Sequence, residues 1–203
     1  MKKRIVLMML VAISLAGACK KDENGAGKGG VAINNENSAK GLFSKMNNLW
    51  KVTLRPTLAK TPQLYTNTIL NGTSGTATVN GEYSTTRSSS SSSTRSSSTV
   101  DVTVTFKDFE ADGLTINGTL RFFDYSNSRT ACSSSGCASS NHTDLDYQSK
   151  NSSGGSLGPV SVQFEYSGQN YKDAVTMDIN KYDNAHWAII IINSAGETIN
   201  TSY

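Results

Sequence analysis

Few residues of this 203-residue chain have the type and spacing to do chemistry. Cys132 and Cys137 flank Ser133-Ser134-Ser135-Gly136, a flexible spacer that can close a small ring. In an oxidising compartment such a pair is most simply a disulfide that shapes a loop tip. The rival use is half of a metal site, but structural zinc takes four ligands. The nearby donors are His142, Asp144 and Asp146. Their alternate spacing offers a weak cation site at most, and Asp-x-Asp here lacks the glycine and distal glutamate of a calcium loop. The default for these residues is a set of solvated loop groups, and no metal or cofactor is expected. His186 stands just before Trp187 at a strand start, the place of a turn or edge residue rather than a base. The expectation is a chain without enzymatic activity.

The N-terminus carries a different chemistry. Lys2-Lys3-Arg4 precede an apolar run from Ile5 to Leu15. Eleven residues span about 17 Å as a helix, against a bilayer core of about 30 Å, so the run is a secretory signal rather than a permanent span. Small residues follow, then Cys19. The stretch Leu15-Ala16-Gly17-Ala18-Cys19 resembles the lipobox of bacterial lipoproteins. The resemblance covers about the first 23 residues and no part of the folded domain, for which no family is recognised. It implies that residues 1–18 are removed and that Cys19 becomes an acylated N-terminus, carrying diacylglyceryl and palmitate-type chains. Ala16 stands where the usual pattern has an aliphatic residue, as in looser lipoboxes. Lys20 in place of an aspartate implies outer-membrane delivery. Cys19-Lys20-Lys21-Asp22-Glu23 also resembles the surface-export signal of some Bacteroidetes lipoproteins. The implied address is the outer membrane, lipid-anchored, on its periplasmic or cell-surface face.

Removing residues 1–18 changes the charge. They hold three of the 19 basic residues and no acid, so the remainder carries 16 of each sign. A neutral domain has no electrostatic footprint for nucleic acid, and the lipid on Cys19 becomes the membrane attachment.

The elements that must position these groups follow from periodicity. Residues 19–37, rich in Gly, Lys, Asn and Glu, read as a lipid-anchored flexible tether. Residues 38–203 read as a single β-rich domain. Ser38 is placed to cap a helix whose Leu42, Phe43, Met46, Leu49 and Trp50 form one apolar stripe. After Pro56 and Pro62 the period becomes two. Val100, Val102, Val104 and Phe106 alternate with polar residues, and Asp112-Gly113 turns them into Leu114, Ile116, Leu120 and Phe122. Val160–Tyr166, a strand around Val175–Ile179 and a last strand near Ile199 continue the pattern. Trp187–Ile192 is a continuous apolar run, as in a strand covered on both faces. The fold class is therefore mainly β: an antiparallel meander of about seven strands, as a curled sheet, small barrel or sandwich, with one N-terminal amphipathic helix.

Two polar stretches read as long loops. Residues 84–99 are a low-complexity serine-rich segment that cannot bury enough apolar surface to offset ordering. Residues 126–158 carry the cysteine pair. Tyr125, Tyr147 and Tyr182 are scattered aromatic candidates for carbohydrate contact. The expected function is a non-enzymatic binding or structural module presenting loops to a protein or glycan partner. The alternative is a carrier holding a small apolar ligand among Val102, Val104, Leu114, Ile116, Phe164 and Met177.

Overall fold

A computed structural model describes residues 29–181 and 186–203. The signal, Cys19 and Tyr182 lie outside the described residues.

The helix begins earlier than Ser38 suggests. Asn35 is the N-cap of α1 (Glu36–Asn48), its side chain accepting from the Ser38 amide at 2.9 Å while Ser38 Oγ accepts from the Asn35 amide at 3.2 Å. This reciprocal box satisfies two amides that a helix start otherwise leaves unpaired. The helix runs on through a π-helical segment (Leu49–Leu54) into α2 (Arg55–Leu58), where Pro56 can donate no backbone hydrogen bond to the preceding turn. All five residues of the predicted apolar stripe are buried. Gly41 lets α1 lie close to the sheet, since a Cβ there would meet the Tyr166 ring at 2.7 Å. Among the described residues no helix is long and apolar enough to cross a membrane.

Among the described residues nine strands form one antiparallel sheet: β1 (Gln63–Asn71), β2 (Ser74–Ser89), β3 (Ser93–Ala111), β4 (Leu114–Ser133), β5 (Gly136–Gln148), β6 (Val160–Tyr166), β7 (Gln169–Lys181), β8 (Trp187–Ile192) and β9 (Thr198–Ser202). The order is β1-β2-β3-β4-β5-β7-β8-β9, and β6 also pairs with β4 and β7. Thus β5 and β6 lie end to end between β4 and β7. The turn at Asp112-Gly113 takes positive φ at both positions (52° and 69°), as a two-residue hairpin requires.

The sheet curls into a small open barrel around the helical segment. At one side Tyr65 of β1 donates its hydroxyl to the Leu58 carbonyl; at the other Phe43 packs on Tyr203, just past β9, at 5.0 Å between rings. One helical segment can reach both sides only if the sheet wraps it. The inward faces of the strands and the helical stripe form one continuous core. A single curled sheet replaces the sandwich option.

Four expectations change. The described residues form nine strands rather than about seven, since β1 and β5 lack the clean apolar alternation that marks the others. β8 is half-covered: Trp187, Ile189 and Ile191 point inward, while Ile192 is 42% exposed. The tether does not reach residue 37: Val31 bridges Tyr171, the Ile33 amide donates to Asp173 Oδ2 at 2.9 Å, and the Ile33 side chain is buried. The fourth change concerns the two polar loops.

Candidate functional site

The serine-rich segment is sheet, not loop. From Tyr83↔Val100, where the core ends, β2 and β3 stay in register through Ser84↔Thr99 to Ser89↔Thr94. β4 and β5 run beside them, from Asp124↔Leu145 to Ser133↔Gly136, so most of 126–158 is also strand and only 149–159 connects β5 to β6. The six residues from Ser84 to Ser89 carry the extension about 20 Å past the core at the usual strand rise. Composition argues against order for an isolated segment, but here the strands propagate from a ladder already fixed by the core. Each added pair gains backbone hydrogen bonds, and Thr and Ser pair across strands. Thr86 and Ser97 hydroxyls lie 2.6 Å apart, Ser98 and Ser126 2.7 Å, and Thr130 and Ser139 3.0 Å. At the tip, Cys132 and Cys137 stand directly opposite and form a disulfide, with a Cα separation of 4.0 Å. The Cys132 amide donates to the Ser92 carbonyl at 2.8 Å, joining the two hairpins.

The extension has two faces. Its concave face continues the parity of the core strands, but the side chains become Thr85, Ser98, Ser126 and Thr143, then Arg87, Ser96, Ser128 and Asn141. They line a trough of about 580 Å³. The trough meets a second cavity of about 460 Å³ at the core mouth, with Ser126 and Thr143 shared between them. There the helical segment closes the end. Asp124 is buried and accepts from Trp50 Nε1 at 3.0 Å and Arg55 Nε at 2.7 Å. Trp50 stacks on Phe122 at 5.2 Å. Lys51, Arg55 and Lys181 make the mouth predominantly cationic. Tyr147, a sequence candidate for carbohydrate contact, is core: it is fully buried, donates to Asn47 Oδ1 at 3.2 Å, and burial followed by the Asp124 charge pushes its hydroxyl pKa well up.

The outer face carries the other candidates. His142, Asp144 and Asp146 are successive outward residues of β5, so one strand does align them. His142 Nε2, however, donates to Asp144 Oδ2 at 3.0 Å, and among the described residues no three His, Cys, Asp or Glu gather to hold an ion. Asp146 is raised to about 6 by burial, partly offset by Arg121 and reinforced by Asp144 and Asp178. Arg121 grips Asp101 with two bonds of 2.7 and 2.8 Å and lies over the Phe123 ring. Tyr125 lies edge-on to His142. His186 is exposed immediately before β8.

One serine, Ser156, lies in a Gly-x-Ser-x-Gly string (154–158). A nucleophile elbow needs a strand-to-helix turn. Ser156 instead lies between two strands, with its Oγ accepting from the Gly158 amide at 3.1 Å.

The sequence reading missed the cationic residues of the extension and its mouth. Their grouping depends on strand register, to which composition is blind. Comparison with family models, with curated proteins and with solved structures finds no match to this chain.

Proposed function

We propose that the chain is an exported lipoprotein, tethered through Cys19 at the outer membrane, whose sheet extension is a non-enzymatic binding platform for an external partner. The observation that carries this reading is the extension itself. Apart from Ala131, Ala138 and the disulfide, residues 84–99 and 126–143 have no apolar side chain, so these strands add little to the core. Four strands held in register and pinned at the tip suit a rigid surface offered outward. The carrier alternative finds less support: Val102, Val104, Leu114, Ile116, Phe164 and Met177 are all buried in the core cluster, and Leu42, Met46, Leu49 and Trp50 fill the curl.

The binding role is tested by removing the extension. Thr85 pairs with Ser98, and Ser126 with Thr143. Replacing residues 86–97 and 127–142 each by Asn-Gly therefore closes two shorter hairpins on paired residues. The shortened chain is expected to keep its cooperative unfolding and lose binding to a panel of immobilised polysaccharides and envelope proteins. Retained binding would refute the platform. The address is tested separately. Mass spectrometry of the membrane-fraction protein should find acyl mass on Cys19, and a non-permeant protease should remove the chain from intact cells. Protection until the outer membrane is opened would refute surface display.

A further inference from the structure

Arg95 of β3 and Arg129 of β4 stand directly opposite each other on the outer face of the extension. Directly opposed side chains have Cβ atoms about 5 Å apart, and like charges there are destabilising. The register supplies no relief. Across the other ladders, Arg95 faces Ser88 and Arg129 faces Ser140; the same-face diagonals include Thr86, Asn127, Ser93, Ser97, Ala138 and His142. No acid occupies any of these positions. Arg121, on the same face nearer the core, is by contrast gripped by Asp101. The fold thus neutralises one outward arginine and leaves two others facing each other.

Between these arginines lies a cavity of about 230 Å³, lined also by Asn127, Ser140 and His142. Asn127 lines it with a side chain whose Oδ1 is itself buried and without a hydrogen-bond partner. His142 is held in place by Asp144. Two guanidinium forks suit an oxyanion, whose oxygens accept paired N–H bonds. The surroundings are hydroxyls and amides rather than apolar side chains, and they suit a polyhydroxylated body.

Resting on the platform reading, we propose that the Arg95–Arg129 pair is the binding site for a sulfate, phosphate or carboxylate group carried by an acidic polysaccharide. The arginines neutralise the anion, while Ser140 meets a sugar hydroxyl.

The test uses the full chain in neutral detergent micelles, with dextran sulfate, carboxymethyl dextran and neutral dextran as probes. Binding is expected to the two acidic polymers, weakening with salt, and not to neutral dextran. R95Q/R129Q should weaken it roughly three- to thirtyfold, the scale of two solvent-exposed ion pairs, with thermal stability unchanged or raised because a repulsion is gone. K60Q/K107Q removes the same charge elsewhere and should leave binding unchanged. Equal loss in the two double variants would reduce the effect to net charge and overturn the proposal. Arg-dependent preference for phosphatidylglycerol over phosphatidylcholine vesicles, without dextran sulfate binding, would assign the pair to a lipid headgroup and overturn it too. If neither acidic polymer binds the full chain while the shortened chain loses binding to another probe, the platform stands and this site fails. If the shortened chain binds as the full chain does, the platform itself fails.

Discussion

Asp124 joins Trp50 to the sheet: its buried carboxylate takes the indole N–H at 3.0 Å, while Arg55 caps the same oxygen from the mouth at 2.7 Å. The contact lies at the boundary between a packed core and a polar extension, and it fixes where the helical segment stops covering the sheet. Asp124→Ala would leave a buried indole N–H unpaired and is expected to lower unfolding free energy by about 2–3 kcal/mol. Arg55 is half-exposed, with 46% of its side chain accessible, so Arg55→Ala should cost about 1 kcal/mol or less. Urea unfolding followed by tryptophan fluorescence measures both; equal costs would mean that the indole bond contributes nothing.

Asp146 predicts a pH dependence of definite sign. Burial raises its pKa to about 6 from an ordinary 3.8. Between these values the folded chain holds a proton that the unfolded chain has released. This group's contribution is therefore most favourable below about pH 4 and is lost as pH rises through about 6. Asp146→Asn should remove that slope and stabilise the protein above pH 6 by about 1–2 kcal/mol, discounting for partial solvent access. Denaturant midpoints of both proteins between pH 4 and 8 measure it. Parallel curves would contradict the burial effect.

The disulfide closes a five-residue separation at an exposed hairpin tip. Loop-closure entropy for so short a ring is about 2 kcal/mol, and it acts on the tip rather than on the core. Cys132→Ser/Cys137→Ser should speed amide exchange over residues 130–139 while shifting global unfolding by less than about 1 kcal/mol. A large global shift would mean that the extension and core unfold as one unit.

Helix initiation depends on a reciprocal box rather than on a single hydroxyl. Asn35→Ala is expected to cost about 1 kcal/mol, read from thermal unfolding. No change would show that packing of the apolar stripe alone sets the start.

Much of the core was legible in the sequence. The stripe Leu42–Trp50, the 100–106 and 114–122 alternations and the Asp112-Gly113 turn all follow from side-chain periodicity, which the buried face enforces. The cysteine pair was legible because a flexible four-residue spacer can close a small ring, although the strands that carry it were not. The extension was not. Its strands bury almost nothing, so no hydrophobic period marks them, and serine repeats look like disorder when read as a local segment. What orders Ser84–Ser89 is a ladder begun at Ala77↔Phe106 and Val79↔Val104, pairs over twenty positions apart, and continued out to Ser89↔Thr94. Arg95 and Arg129 were equally hidden. They are 34 positions apart and become neighbours only through the β3–β4 register. β1 escaped notice because it is an edge strand with Leu64 and Ile69 facing outward, 74% and 64% exposed.

The platform depends on the extension being ordered sheet, and amide hydrogen exchange reads that directly. In β3 and β4, residues 94–99 and 126–130 are paired on both sides. Their amides should exchange at least about tenfold more slowly than in an unstructured peptide of the same sequence, reflecting local stability above about 1.4 kcal/mol. Exchange at the free-peptide rate throughout 84–99 and 126–143 would return both segments to mobile loops and contradict the account.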